Sequence, residues 1–486
     1  MPDIGDILRS QRPPPTFEAT RSARSLLEQE EVEIRRYDEE LRHLRGVLDK
    51  LEHERKLLYR QVEQRRSWLA PIRRVPTEIL EYILYLVQAN SPSLRIDDET
   101  LETPLYDVSR VCSYWRHIVL AQPTWWKRLS LDICGMTRYE MHLVEHYLRR
   151  SQGHSLSIHL SDSQPWKWVI NPSGKHIGTY GLKAFAILMR RAGRIRELTF
   201  NVPWDIFPCL FSHRMEPRHN TAFSSLESFS CVGEIPGNIP WFSHAIKASA
   251  PKLNAATLGG ISLNPVSSRY GLPFSKLRSL TIQVTLVWGL IEHILPECTQ
   301  LTHLTMQSVL HWEKPVLPQM VELPKLQHLS LTYAQPADYN LFFEMVRLPA
   351  LRSVAIAPAE RGFDPKVPVE WPSEAFLGML RRESVELQAL TIYFPDSALS
   401  SVDPLVDLLM ICRGLSKLSF HMKDSTKTLM DISQRLIDSG HRWPTGMSMT
   451  LPPSDPVQGV EQLVGLLSES TMGLTVVRRH EAIPGL

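Results

Sequence analysis

At 486 residues the chain is too long for one ordinary hydrophobic core and calls for several domains or a long repeat array. A hydrophobic share of 43% with 22% charged residues suits a soluble globular protein, and a formal net charge of +2 excludes the strong basic field that nucleic acid or an anionic membrane would select. Six cysteines lie far apart without a C-x-x-C pair, which reads as reduced thiols and not as a disulfide framework or zinc site. The opening MPDIGDILRSQRPPPTFEAT lacks the apolar core of a signal peptide. No apolar run approaches the roughly 18 residues of a membrane helix. The expectation is a protein of the cytoplasm or nucleus that binds neither membrane nor nucleic acid.

Residues 1–25, with Pro13, Pro14 and Pro15 and few apolar side chains, are expected to be a disordered tail. From 26 to 69 proline disappears and leucines fall on a heptad. Leu27, Ile34, Leu41, Leu48, Val62 and Leu69 share one register, and Tyr37, Leu44, Leu51 and Leu58 share the other, with Arg55 and Arg65 as interruptions. This predicts a coiled-coil helix and a parallel homodimer in which Arg55 faces its symmetry mate. The alternative is one amphipathic helix folded back on the chain.

Pro71 and Pro76 close that helix and open a second unit, 70–131. Ile72, Val75, Ile79, Leu80, Ile83 and Leu84 recur at helical spacing, with Glu78 in the first turn where an acid complements the helix dipole. The polar stretch from Gln88 to Thr103 reads as a loop. A further helix carries Val108, Val111, Cys112, Trp115, Ile118 and Val119 on one face and ends at Pro123.

Within this unit, Val75-Pro76-Thr77-Glu78-Ile79-Leu80-Glu81-Tyr82-Ile83-Leu84 resembles the opening L-P-x-E-I-L-x-x-I-L of the F-box. Val111-Cys112-Ser113-Tyr114-Trp115-Arg116 resembles the family's V-C-x-x-W-R segment, and Pro123-Thr124-Trp125-Trp126 its trailing P-x-x-W. Val75 replaces the usual leucine, and the polar insertion before Leu105 lengthens the usual spacing. The likeness covers about 60 residues, and with its insertion the chain resembles fungal, basidiomycete-type F-box proteins, many of which carry a coiled coil before the F-box and leucine-rich repeats after it. It implies a small all-α F-box that docks a Skp-type adaptor and through it a cullin. Pro76, Ile79, Leu80, Ile83, Leu84, Val111, Trp115 and Arg116 are the adaptor contacts that it implies.

Residues 132–470 repeat a phrase: IRELTF at Ile195, LESFSC at Leu226, LNAATL at Leu253, LRSLTI at Leu277, LTHLTM at Leu301, LQHLSL at Leu326, LRSVAI at Leu351, LQALTI at Leu387 and LSKLSF at Leu415. The spacing of the middle phrases lies in the leucine-rich-repeat window of roughly 20–29 residues. SLSIHL at 155–160 is a degenerate first copy after the helix RYEMHLVEHYLRR. Each phrase predicts a short strand with its leucines in a stacked core, and segments such as VWGLIEHIL and DYNLFFEMVR have helical spacing. The expected fold is an α/β leucine-rich-repeat solenoid preceded by the F-box and the coiled-coil helix, with 471–486 as a C-terminal tail.

Thr199, Ser230, Thr257, Thr281, Thr305, Ser330, Thr391 and Ser419 form a row expected along the concave face, where they either read a ligand or simply suit adjacent strands. Trp166, Trp168, Trp312, Trp371 and Trp443 lie in proline-containing insertions; those that are exposed are candidate anchors, and some of them simply cap the core. His142-Leu143-Val144-Glu145-His146 matches H-x-x-E-H, but catalysis also needs a third ligand, and the match reads as coincidence. Gly174-Lys175 lacks the earlier glycine of a phosphate loop. No cofactor, metal or catalytic residue is expected. The expectation is therefore a non-enzymatic substrate receptor of a cullin-RING ubiquitin ligase with an unknown protein substrate, or alternatively a scaffold acting without a cullin.

Overall fold

The structure, a computed structural model, describes residues 16–89, 91–97, 100–162, 178–202, 210, 222–234, 246–260, 272–283, 285–286, 289–307, 309–310, 320–333, 339–359, 364, 366, 368–394, 396–423, 425–440, 443, 448–451, 461–463 and 475–478. Contacts divide the chain into two compact units, 1–84 and 85–486.

The first unit is dominated by helix α1 (Phe17–Leu69), 53 residues without a break and without one buried side chain. It begins at Phe17, so the expected tail over 1–25 is shorter than its composition suggested. Between Phe17 and Leu69 there is no proline and only one glycine, Gly46, so helix formation once started has nothing to stop it. Ala70 and Pro71 end it, and a short 3-10 turn at Pro71–Arg74 leads to helix α2 (Thr77–Ala89). Pro76 sits just before the helix and Glu78 lies in its first turn, as the spacing predicts.

The second unit is α/β and built on one long sheet, 15-stranded among the described residues. The strands are β1 (Leu94–Ile96), β2 (Leu101–Glu102), β3 (Arg128–Asp132), β4 (Leu156–Ser161), β5 (Ile195–Asn201), β6 (Ser228–Glu234), β7 (Ala255–Gly260) and β8 (Ser279–Ile282). Next come β9 (Thr285–Leu286), β10 (His303–Met306), β11 (Val309–Leu310), β12 (Val321–Glu322), β13 (His328–Tyr333), β14 (Val346–Arg347) and β15 (Ser353–Pro358). The last are β16 (Ala389–Phe394), β17 (Lys417–Met422), β18 (Ser448–Leu451) and β19 (Thr475–Arg478). Strands β9 with β11, and β12 with β14, form two small parallel ladders of their own. In the main sheet every described pairing is parallel except β1 with β2, and from β3 onward the strands lie side by side in chain order.

Every one of the nine repeated phrases falls on a strand of this sheet, and SLSIHL supplies β4. Their apolar positions run in two ladders across it. One joins Leu129, Ile158, Leu198, Phe229, Ala256, Leu280, Leu304, Leu329, Val354, Leu390 and Leu418, all buried. The other runs from Leu131 through Phe200, Leu258, Met306 and Ile356 to Phe420. A strand alone cannot bury a leucine face; stacking identical faces does. At Gly259 the backbone of β6 approaches so closely that a Cβ would lie 1.7 Å from the Val232 carbonyl oxygen, beside the register shift between Cys231 and Glu234. Only glycine fits there.

Several boundaries differ from the sequence reading. The stretch Gln88–Thr103 is not a plain loop: Leu94 and Ile96 are buried in β1, which pairs with β2 and with β3. The sheet thus begins inside 70–131 and not at 132. Strand β19 pairs with β18, so the chain around 475–478 belongs to the sheet and is not tail. Within VWGLIEHIL the described residues form a π turn at Leu290–Ile294 followed by a 3-10 turn, while those of DYNLFFEMVR contribute helix Asn340–Met345 and then β14.

Candidate docking surfaces

Helix α2 is apolar all round, and its two faces have different fates. Leu80 and Leu84, four residues apart, are buried, and Gln88 continues their face. Ile79, Tyr82, Ile83 and Leu86 fall on the opposite stripe and are exposed, Ile79 by 52% and Tyr82 by 59%. Spacing of three, four and seven residues puts these side chains on one line along the helix. Large apolar side chains held in water in a contiguous line mark a partner surface. Of the residues that the resemblance assigns to an adaptor, Pro76, Ile79 and Ile83 are exposed, whereas Leu80 and Leu84 are buried.

In the second unit the segment Val111–Arg116 opens helix Ser113–Ala121. Cys112 is its N-cap, the thiol accepting from the Trp115 backbone N–H at 3.5 Å. Val111 is 60% exposed, Arg116 is exposed and Trp115 is half-buried. Ile118 and Val119 face inward, and the Trp126 indole N–H donates to the Val119 carbonyl at 3.1 Å. Trp126 packs on Tyr147 at 5.0 Å and on Tyr106 at 5.8 Å, an aromatic cluster that fixes this helix against helix Arg138–Arg150. Gln88 and Ser93 bind the Trp125 carbonyl between them, Gln88 at 3.1 Å, in a buried polar knot.

The face of the sheet opposite its leucine ladders carries the Ser/Thr row in direct register: Thr199, Ser230, Thr257, Thr281, Thr305, Ser330, Ala355, Thr391 and Ser419 are successive cross-strand partners. They are half-buried, except Ser419, which is buried. The parallel row two residues earlier was not singled out in the sequence. It contains Glu197, His303, His328 and Lys417, all exposed. The His303 and His328 rings stack at 4.3 Å with 20° between their planes. Although the residue as a whole is exposed, partial burial first, then the charges of His303 and Arg352, hold the His328 imidazole below its ordinary pKa. The matching H-L-T and H-L-S in LTHLTM and LQHLSL were the available signal.

Near the start of the sheet a cleft of about 350 Å³ is lined by Gln88, Lys127, Arg128, Ser157, Arg196 and Glu197 among others. Its polar groups engage one another and their neighbours: Ser157 donates to Glu197 at 2.7 Å, Arg196 pairs with Glu227 at 2.8 Å, and Arg128 donates to the Ala89 carbonyl.

His142 and Glu145 lie 3.5 Å apart on the exposed side of helix Arg138–Arg150, while His146 turns to the Tyr106 and Trp126 rings, so the H-x-x-E-H residues do not converge. Among the described residues one group could hold a metal ion: Asp132, Cys134 and Asp162, whose ligand atoms lie within 4.8 Å of one another. Asp132 there accepts the Cys134 backbone N–H at 2.8 Å, a turn closing the end of β3. Trp371 and Trp443 are buried, not exposed anchors: Trp371 packs on Phe376 at 5.4 Å, and the Trp443 indole donates to Ser433 at 3.1 Å. Trp166, Trp168, Trp312 and Gly174-Lys175 lie outside the described residues. No helix among those described is long and apolar enough to cross a membrane.

No family model matches the chain, and no curated protein matches it.

Proposed function

We propose that the chain is an F-box protein: a receptor that docks a Skp-type adaptor near its N-terminus and presents a leucine-rich-repeat sheet to a protein substrate. The observation that carries this reading is the exposed stripe Ile79, Tyr82, Ile83 and Leu86 on α2, the helix that bears the P-T-E-I-L-E-Y-I-L sequence. An apolar stripe of this kind has no reason to face water unless a partner covers it. Val111 and Tyr114, exposed in the V-C-x-x-W-R segment, are further apolar contacts of the same chemistry. The repeats support the receptor half, since stacked strands offer a long surface whose residues vary without disturbing the core. Through the adaptor the protein would join a cullin and a RING subunit and bring substrate to the ubiquitin-charged conjugating enzyme. Its contribution is orientation and local concentration, with no bond-making group of its own.

Exposure of Ile79 and Ile83 makes the test clean. Ile79→Asp with Ile83→Asp should leave the fold intact by circular dichroism and abolish co-purification with a Skp-type adaptor. Undiminished adaptor binding by the folded double variant would overturn the F-box reading. Recovery of adaptor but never of a cullin, with neddylation blocked, would support the scaffold in place of the ligase subunit.

A further inference from the structure

Helix α1 carries its own unsolved problem: 53 residues with leucine at heptad spacing and none of them buried. Leu41, Leu44, Leu48, Leu51 and Leu58 are between 48% and 60% exposed. A seam of this length is covered in coiled coils by a second helix. The charges along the seam decide which way that helix runs.

With Ile34, Leu41 and Leu48 at the a positions and Tyr37, Leu44 and Leu51 at d, the flanking g positions include Glu33, Glu40 and Glu54, and the e positions Glu31, Asp38, Arg45, Glu52 and Arg66. In a parallel pair in register, each seam residue meets its own copy. Arg55 then faces Arg55, Arg65 faces Arg65, and Glu30 faces Glu30, three like-charge layers. On the flanks, g positions meet e positions five residues on, so Glu40 attracts Arg45 but Glu33 repels Asp38.

In an antiparallel pair, a positions meet d positions, and e positions meet e positions. The alignment that places residue n opposite residue 99 − n of the second copy keeps the leucines together, Leu48 with Leu51 and Leu41 with Leu58. Tyr37 then meets Val62. Arg55 falls opposite Leu44, Arg65 opposite Ile34 and Glu30 opposite Leu69, so no like-charge layer remains. A lone arginine in such a layer can extend its stem along the seam and place its head at the edge, where acidic flanks lie. The flanks also become complementary, each e position lying nearest the e position of the second copy two residues off that alignment: Arg45 faces Glu52 and Glu31 faces Arg66, each pair occurring twice by symmetry. Arg66 is already paired with Glu63 of its own helix at 3.0 Å, so Arg45 with Glu52 is the discriminating pair.

We propose that the protein is a homodimer joined by α1 in antiparallel orientation, with Leu48 against Leu51 of the second copy at its centre. This reverses the parallel arrangement that the heptad alone suggests. It also separates the two Leu69 ends by roughly 60 Å at 1.5 Å per residue, where a parallel pair would hold them side by side.

Three measurements on the full chain test it. Light scattering at micromolar concentration should give twice the mass of one chain; a monomer or a higher oligomer overturns the proposal. Donor and acceptor dyes carried by an unnatural amino acid at position 21 should show almost no energy transfer, since antiparallel helices set these sites roughly 85 Å apart. Strong transfer would mean a parallel pair and overturn it. Finally, Arg45→Glu should weaken dimerisation about tenfold, because two attractive contacts become repulsive. Adding Glu52→Arg should restore it. Rescue by Glu40→Arg and not by Glu52→Arg would again mean the parallel pair.

Discussion

His303 and His328 occupy equivalent positions in successive strands, and their stacking shows what a repeat does to a single residue. The same side chain placed twice at one ladder position is forced into contact with itself. Two imidazoles at 4.3 Å cannot both accept a proton without repulsion, and Arg352 adds a further positive charge. His328 should therefore titrate below the ordinary histidine value of 6.5, a shift that nuclear magnetic resonance of the ring protons reads directly. Because burial is the first cause and His303 the second, His303→Ala should raise the His328 pKa without restoring it fully. An unchanged titration would mean that the two rings do not share a field. Neither ring was marked by composition, because histidine at an exposed strand position carries no periodic signal of its own. The pairing emerges only when the register is known.

At the scale of the element, the repeated phrase separates two kinds of position on adjacent residues. Leu280 and Leu304 are buried in the ladder, and Thr281 and Thr305 are half-buried on the other face. Leu304→Asp puts an unpaired charge where apolar neighbours lie on both adjacent strands, and should cost on the order of 4 kcal/mol, read as a fall in the denaturant midpoint. Thr281→Val keeps shape and volume in the Ser/Thr row and should stay within about 0.5 kcal/mol. A folded Thr281→Val that loses substrate would show that the row reads the ligand, whereas silence fits a row chosen for strand geometry.

The same alternation explains what was legible. Phrases of six residues with fixed leucines announced their strands. Helix α2 was announced too, by Pro76 and an apolar run, yet its apolar residues lie on all sides, so nothing in the pattern told Leu80 and Leu84 from Ile79 and Ile83. Strand β1 was missed because three residues, Leu94-Arg95-Ile96, are too short a sample of alternation within a polar stretch. Trp371 and Trp443 prove to be among the tryptophans that cap the core: neighbouring prolines suggest an exposed insertion, but each ring is buried beside a helix.

Across the second unit, three further histidines sit where their charged forms are disfavoured. Burial lowers the pKa of His421, which is 7% exposed and whose Nε2 has no hydrogen-bond partner among the described residues. Burial lowers His159 as well, on the second strand of the parallel run. It also lowers His146, where Arg150 and Arg149 add to the effect. Each folded-state value thus lies below the ordinary 6.5 of the unfolded chain. Between those values the unfolded chain binds more protons, so acidification favours unfolding. Stability should be full above pH 6.5 and decline as pH falls through 6.5 toward the folded values, before carboxylates begin to protonate. A thermal midpoint followed from pH 8 to pH 5 should turn downward near 6.5, and His421→Leu should make that turn shallower while the sheet remains folded. These three groups lie on β17, on β4 and on the helix before β4, so the loss should appear as one cooperative transition if stacked strands share their stability with their neighbours. A midpoint that is level or rising over this range would mean that these histidines reach water and that the sheet is looser at both ends than its ladders imply.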